Sequence, residues 1–208
     1  MGSVGRRFAA LTLDNLDDIG LPCRSCVFWE LEEVAGPRAV EPADPGLEKE
    51  AWVSAVLLEW GSCGTVAYLG DTPVGYITFA PATFVPRSGS FPTSPISADA
   101  VQLVTARVLP DSRGEGLGRA LVQTAARDLG RRGIKAIEAF ADARNDGPSC
   151  LLPADFLSAV GFRTIRPHRA WPRLRLDLRT VTLAEEVEVV ALDRIMDLVR
   201  PEPALRPA

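Results

Sequence analysis

The chain has 208 residues, 47% of them hydrophobic, and a net charge of −4 at neutral pH. This length and composition are those of one soluble globular domain and exclude a disordered chain. A negative net charge argues against a basic surface that would bind a nucleic acid. No segment has the roughly 18 consecutive apolar residues that a membrane helix needs. We therefore expect a cytoplasmic protein that binds neither nucleic acid nor membrane and keeps its cysteines as reduced thiols.

The N-terminal part begins with a strand and continues into helical segments. Residues 8–13 are predicted to form the strand, and residues 14–18 carry the side chains that start a helix. A second helix is predicted to begin with Asp44 as N-cap and Pro45 at the first helical position, and to end at Gly61. Its expected buried stripe is Leu47, Ala51, Ala55 and Leu58.

Cys23 and Cys26 have the spacing of a metal-ligand or redox pair. One such pair supplies two ligands, and Cys63 and Cys150 stand alone in the sequence, so the four-ligand spacing of a zinc module is missing. We expect no bound metal. Of three possible roles for this pair, packing of small side chains is favoured first, zinc binding second and redox chemistry last.

A hairpin and a long loop follow. Residues 65–69 and 74–80 are predicted to be its two strands, joined by the turn 70–73. Residues 81–99 are rich in proline and serine, and loops of this length often serve as lids or binding loops.

The segment from Val101 to Gly118 is the most informative part of the sequence. An apolar strand leads through a Pro-Asp-Ser turn into R-x-x-G-x-G, which opens a helix at Arg113–Gly118. The N–H groups of a first helical turn have no partner within the helix, and the helix dipole is positive there. Glycines allow a ligand to approach the backbone closely, and Arg113 adds a charge. The pattern predicts a site for a phosphate or pyrophosphate.

Two nucleotide-binding motifs are excluded. The phosphate-binding P-loop needs a Gly-Lys pair, which this sequence lacks. The dinucleotide fingerprint G-x-G-x-x-G fails because Gly114, Gly116 and Gly118 alternate strictly.

The predicted helix after this motif is amphipathic and ends near Gly133. Its apolar stripe is Leu117, Ala120, Leu121, Thr124, Ala125 and Leu129. Strand 134–140 follows, so that strand, helix and strand form a right-handed crossover with two parallel strands. A short helix is predicted at 152–160, with Pro153 at its start and Gly161 after its end, and a last strand at 173–178.

Arg113–Gly118, the turn before it and the flanking strands resemble the acetyl-CoA signature of the GCN5-related N-acetyltransferase (GNAT) superfamily. The hairpin at residues 65–80 and Gly161-Phe162 resemble further elements of that fold. The resemblance implies an α/β fold with a mixed central sheet, in residues 1–180. It also implies direct transfer of acetyl from acetyl-CoA to a primary amine: a protein lysine, an N-terminus or a small amine. The alternative is a catalytically idle module that binds acyl-CoA.

The resemblance also assigns the residues that hold acetyl-CoA. The backbone of Ala106, Arg107 and Val108, where the two parallel strands separate, is expected to pair with the pantetheine arm, and the N–H near Val108 to face the thioester oxygen. The residues expected to hold the pyrophosphate are Arg113, Gly114, Glu115, Gly116, Leu117, Gly118 and Arg119.

The proton-transfer groups depart from the family pattern. Members that use a tyrosine acid carry N-x-x-A-x-x-x-Y before Gly-Phe, and here Cys150 and Leu157 occupy the asparagine and tyrosine positions. Either solvent or a thiol such as Cys150 must then protonate the leaving thiolate. Glu138, in an otherwise apolar strand, is the candidate base, with a pKa raised by burial. The alternative is that Glu138 pairs with an arginine.

Two further expectations concern the acceptor side and the C-terminus. Five residues are expected either to line the acceptor pocket or to form core and rim: Trp29, Glu30, Trp52, Glu59 and Trp60. His168 is expected in a surface turn. Residues 182–199 are predicted to form an extra helix whose wide apolar face packs on the domain or on a second copy, giving a homodimer.

Overall fold

The structure is a computed structural model that describes residues 5–20, 22–32, 43–146 and 150–178. Within these residues, eight strands form one mixed sheet in the order β1-β2-β3-β4-β5-β8-β7, and β6 pairs with the end of β5. The strands are β1 (Arg6–Ala10), β2 (Gly64–Leu69), β3 (Thr72–Ala80), β4 (Ala100–Val108), β5 (Ala136–Asp142), β6 (Leu152–Pro153), β7 (Arg163–Arg166) and β8 (Arg173–Asp177). The predicted helix at 182–199 and the boundary after residue 180 lie outside the described residues.

In the described residues, three α-helices accompany the sheet: α1 (Pro45–Trp60), α2 (Leu117–Arg131) and α3 (Ala154–Ala159). Short 3-10 turns lie at Leu16–Ile19, Cys23–Ser25, Ala82–Phe84, Pro86–Ser90 and Pro110–Ser112. In the part of the chain that the structure describes, no helix is both long enough and apolar enough to cross a membrane.

Helix α1 has the predicted ends but buries a different face. The Asp44 side chain accepts a hydrogen bond from the Leu47 N–H at 3.0 Å, and Gly61 closes the helix with φ +87°. The predicted stripe is wrong: Leu47 and Leu58 are 61% and 84% exposed. The residues buried instead are Trp52, Val53 and Val56. Apolar residues occur around most of this helix, so the sequence period alone did not identify the packed face.

The two faces of the sheet carry separate cores. Neighbouring residues of a strand point to opposite faces, so Ile77 joins the core on the α2 side while Tyr76 joins the core on the α1 side. Most of the predicted α2 stripe is confirmed as buried: Leu117, Leu121, Ala125 and Leu129. The sheet thus separates an α2 side from an α1 side.

Strands β4 and β5 are parallel, as the predicted crossover requires, but they pair only briefly. The register runs from Ala100 opposite Ala136 to Gln102 opposite Glu138 and then stops. Beyond Gln102, β4 continues along β3, whereas β5 continues along β8. The strands therefore separate earlier than the expected position at 106–108, and a gap opens in the middle of the sheet.

Two strands among residues 150–178, β6 and β7, were not predicted from the sequence. All four residues of β7 are exposed, so buried and exposed side chains do not alternate along it. Only its pairing with β8 identifies β7 as a strand. Helix α3 is shorter than the predicted 152–160, because Leu152 and Pro153 form strand β6 beside the end of β5.

Candidate active site

A large cleft runs along the gap between β4 and β5, on the α2 side. Its volume is about 710 Å³, within the range of pockets that hold cofactors. Nine of the residues predicted to bind acetyl-CoA line it: Ala106, Arg107, Val108, Arg113, Gly114, Gly116, Leu117, Gly118 and Arg119. Glu115, the remaining predicted residue, does not line it.

The β4 edge of this cleft presents backbone groups without a neighbouring strand. The Leu109 N–H donates to the Val74 carbonyl of β3 at 2.8 Å. Backbone groups of successive strand residues point to opposite sides, so the Val108 N–H and carbonyl point away from β3 and into the gap. The Val108 carbonyl there accepts a hydrogen bond from Arg113 Nε at 3.0 Å. The Val108 N–H is thus a donor facing the cleft.

The glycine-rich loop forms the other end of the cleft. Gly114 and Gly116 have φ angles of +82° and +78°, which side chains rarely adopt, and a Cβ atom on either would point into open space. Helix α2 begins after Gly116, and its first hydrogen bond runs from the Ala120 N–H to the Gly116 carbonyl at 3.0 Å. The N–H groups before Ala120 belong to the unpaired first turn. The loop fits an anionic group held by backbone.

Gly118, which lines the cleft, also lies close to helix α3. A Cβ atom here would lie 3.0 Å from Cε2 of the Phe156 ring, not in open space. This glycine allows α2 and α3 to approach each other closely. Arg119 strengthens the same contact, because its Nη2 donates to the Ala159 carbonyl at 2.6 Å.

The glycine-rich loop is also attached to the first strand. Arg6 Nη2 donates to the Glu115 carbonyl at 3.0 Å and lies 3.6 Å from the Glu115 carboxylate. Both side chains are about half exposed, so the charge pair itself contributes little stability. The hydrogen bond holds the Glu115 carbonyl against β1.

A small chamber lies on the α1 side of the same gap. Its volume is about 20 Å³, room for about one water molecule. The residues around it include Cys23, Cys26, Trp29, Glu30, Lys49, Trp52, Tyr76 and Cys150. Cys23 and Thr105 line both the chamber and the cleft, so the two spaces meet there.

Three of the five residues considered for the acceptor side lie at this chamber: Trp29, Glu30 and Trp52. The buried Glu30 carboxylate forms an ion pair with Lys49. The other two lie elsewhere: Glu59 is exposed, and the Trp60 ring packs edge-on against Phe79 under the Arg132 guanidinium.

Tyr76 is a chamber residue that sequence reasoning missed. Its side chain is 2% exposed, and its hydroxyl has no hydrogen-bond partner among the described residues. Burial raises the pKa of this hydroxyl and the neighbouring Cys23 thiol adds to the rise, so Tyr76 stays protonated at neutral pH. The sequence feature that could have identified Tyr76 is a tyrosine, with its polar hydroxyl, inside the apolar strand β3.

Cys150 and Leu157, at the two positions that depart from the family pattern, have different surroundings. Leu157 is fully buried in the core on the α2 side. Cys150 lies at the chamber, with its Sγ 3.0 Å from Cys26 Sγ. Hydrogen bonding to Cys26 and burial raise the pKa of Cys150.

Glu138 does not have the expected raised pKa. Its carboxylate is fully buried and lies 3.0 Å from both Arg173 Nη1 and Arg175 Nη1, and it accepts a hydrogen bond from the Ser97 N–H at 3.1 Å. Burial raises the pKa of Glu138, but the bonds from Ser97 and Arg175 and the charge on Arg173 outweigh it, so the pKa lies below its ordinary value. The raised-pKa interpretation is wrong, and the arginine pairing is what the structure shows. Glu138 lines neither the cleft nor the chamber.

The remaining candidates are the pair Cys23 and Cys26, and His168. No group of three or more His, Cys, Asp or Glu side chains within the described residues is arranged to hold a metal ion. Cys23 Sγ instead accepts a weak hydrogen bond from Arg107 Nη1 at 3.5 Å. The His168 Nδ1 atom accepts hydrogen bonds from the N–H groups of Ala170 and Trp171, which closes a local turn.

Solved structures with this architecture come from several organisms. The chain superposes on yncA from Salmonella typhimurium, solved with its cofactor acetyl-CoA, with a TM-score of 0.55 and 16% identity, covering 84% of this chain and 94% of that one. An N-acetyltransferase from Staphylococcus aureus Mu50 gives 0.53 and 17%, covering 84% and 99%. The PaiA N-acetyltransferase from Thermoplasma acidophilum, solved with coenzyme A, gives 0.51 and 13%, covering 83% and 99%.

At these identities the likeness is one of fold. A comparison with curated protein sequences finds no match. The model of the acetyltransferase (GNAT) family matches residues 27–149, more than half of the chain, a span that includes β4, the glycine-rich loop and α2. The sequence match, the sheet that opens between β4 and β5, and the glycine-rich loop agree, and the chain belongs to the GNAT family of acetyltransferases.

Proposed function

We propose that this protein transfers the acetyl group of acetyl-CoA directly to a primary amine. The observation that carries the proposal is the cleft, which joins a free strand edge to an anion-binding helix start. Acetyl-CoA has a pyrophosphate at one end and an amide-containing arm leading to the thioester, so its polar groups match this order. Structures of the same fold from Salmonella typhimurium and Thermoplasma acidophilum hold acetyl-CoA and coenzyme A.

The glycine-rich loop is assigned to the pyrophosphate. Gly114 and Gly116 leave open space where a side chain would otherwise stand. Unpaired N–H groups at the start of α2 supply donors, and the helix dipole favours negative charge there. Arg113 keeps its Nη groups for the ligand while its Nε is bonded to Val108.

The β4 edge is assigned to the pantetheine arm and the thioester. The inward-facing Val108 N–H supplies a donor for the thioester oxygen, where negative charge develops as the amine attacks. Thr105, which lines both spaces, lies where the acetyl group would pass from the cleft toward the chamber. The acceptor amine then approaches from the α1 side.

Tyr76 is assigned the proton transfer. The amine nitrogen bonds to the carbonyl carbon, the carbon–sulfur bond breaks, and the hydroxyl gives its proton to the departing sulfur. Tyr76 regains a proton from the acceptor nitrogen, so the overall reaction yields an amide and a free thiol. The Tyr76 hydroxyl is protonated, has no hydrogen-bond partner among the described residues and lies beside the place where cleft and chamber meet, which suits this role. Glu138 keeps a structural role.

Replacing Tyr76 by phenylalanine is expected to lower kcat about ten- to a hundredfold, the loss of a positioned proton donor, with little change in the KM for acetyl-CoA. Because the hydroxyl has no hydrogen-bond partner among the described residues, the variant should remain folded. Tyr68→Phe is the matched control, since the Tyr68 hydroxyl in neighbouring β2 is bonded to Asp18. Equal rates for both variants would remove Tyr76 from the mechanism.

The activity itself is tested by release of free coenzyme A in the steady state. The amine panel contains a lysine peptide, a peptide with a free N-terminus and a small aliphatic amine. We expect at least one amine to accelerate release, with one acetylated product for each coenzyme A formed. If acetyl-CoA binds by calorimetry but no amine accelerates its turnover, the proposal fails and an idle acyl-CoA-binding module takes its place.

A further inference from the structure

Two cysteines distant in sequence face each other at the chamber. Cys26 Sγ and Cys150 Sγ are 3.0 Å apart, although 124 positions separate them in the chain. Cys26 follows the turn Cys23–Ser25, and Cys150 precedes β6. A disulfide bond is about 2.05 Å long, so the two sulfurs need to approach by about 1 Å to bond.

The surroundings hold the two thiols in place. The buried Trp29 donates from its Nε1 to the Cys150 carbonyl at 3.4 Å. Its ring stacks on Phe91 and Phe140, at centroid distances of 5.2 and 6.1 Å. Since packed rings keep Trp29 fixed, the segment that carries Cys150 is positioned against Cys26 before any reaction.

The two thiols differ in a way that suits stepwise oxidation. Hydrogen bonding between the two thiols lowers the pKa of Cys26, although burial opposes it and Lys49 contributes a smaller lowering. Hydrogen bonding to Cys26 and burial raise the pKa of Cys150, so Cys26 has the greater thiolate character of the two. Cys26 is also the more exposed of the two. Thiolate character and access determine which cysteine an oxidant attacks first.

We propose that Cys26 and Cys150 form a peroxide-sensitive modification site that closes into a disulfide. Cys26 is oxidised by a peroxide to the sulfenic acid, and the peroxide is reduced to one water. The Cys150 sulfur then attacks the Cys26 sulfur and expels the sulfenic oxygen as a second water. Two thiols and one peroxide thus give one disulfide and two waters.

The disulfide ties together two walls of the chamber. It joins the turn next to Cys23, where cleft and chamber meet, to the segment leading into β6. Neither Cys26 nor Cys150 lines the cleft, so coenzyme A binding is left unchanged. This consequence rests on the proposed function: oxidation slows acetyl transfer to the amine by restricting the acceptor side.

The site is tested by treating the reduced full-length protein with hydrogen peroxide. Unreduced peptides are then mapped by mass spectrometry. We expect one Cys26–Cys150 disulfide per chain, reversed by dithiothreitol and lost in Cys26→Ser and Cys150→Ser. Cys63→Ser is the control and should still form it, because Cys63 is fully buried and burial raises its pKa to about 12. A Cys23–Cys26 disulfide, or Cys26 driven to the sulfinic acid without a disulfide, would overturn the proposal.

The effect on the reaction is measured separately. Oxidised wild type is expected to show a kcat lowered by about tenfold or more, while the Kd for coenzyme A stays within about twofold. An oxidised protein with an unchanged kcat would overturn the regulatory role. If the reduced protein acetylates no amine, the proposed function fails, whereas the mapped disulfide still decides the modification site.

Discussion

Gly116→Val is expected to weaken coenzyme A binding by about a hundredfold, the loss of about two charge-assisted hydrogen bonds to the pyrophosphate. The added side chain would stand in the open space of the cleft. In addition, a β-branched residue is strained at the Gly116 φ of +78°, which would shift the N–H groups at the start of α2. Isothermal calorimetry with coenzyme A measures the change.

Two other glycines of α2 serve as controls. Gly130→Ala meets open space at the far end of the helix and should leave both affinity and fold intact. Gly118→Val should act mainly on stability, because its side chain would collide with the Phe156 ring. Near-native affinity in Gly116→Val would remove the pyrophosphate assignment from the loop.

Glu138→Gln is expected to reduce the free energy of unfolding by about 3 kcal/mol, the cost of breaking a buried ion pair and leaving Arg173 charged and unpaired. For a protein of this size the melting temperature should fall by roughly 10 °C. Asp99→Asn is the control: Asp99 bonds to the same Arg175 at 2.9 Å but is half exposed, so its loss should cost under about 1 kcal/mol. A variant of native stability with a lowered kcat/KM would return Glu138 to the role of base.

The pH dependence of stability follows from the same carboxylate. The pKa of Glu138 in the folded protein lies below its ordinary value of 4.5. The ionised carboxylate therefore makes its full contribution to the free energy of unfolding above pH 4.5. The contribution is lost as the pH falls through the folded value. We therefore expect the stability difference between wild type and Glu138→Gln to be constant near neutral pH and to narrow below pH 4.5.

Features that depend on neighbouring residues could be predicted from the sequence. The Asp44 cap, the Gly61 end of α1, the buried stripe of α2 and the glycine-rich turn are all encoded within a few positions. A gap between β4 and β5 was expected from the family resemblance, although the strands separate earlier than the predicted position at 106–108. All the predicted cofactor residues except Glu115 line one cleft.

Features that depend on residues distant in the sequence could not be predicted from the sequence. The apolar residues of α1 do not indicate which side meets the sheet, and exposed β7 exists only through its pairing with β8. The sequence left open whether Glu138 is a base or pairs with an arginine, because its arginines come from β8, more than thirty positions later. Cys26 and Cys150 meet only once the sheet has brought both segments to the chamber.

The hydrogen bond from Arg6 to Glu115 determines the direction of a peptide plane. In a trans peptide the carbonyl and the following N–H point in opposite directions. Because Arg6 in β1 holds the Glu115 carbonyl, the Gly116 N–H points away from Arg6, and Gly116 itself lines the cleft. The dipole of the Glu115–Gly116 peptide group is oriented before an anion binds, so less conformational entropy is lost on binding. The first strand thus preorganises a loop more than a hundred residues away in the sequence.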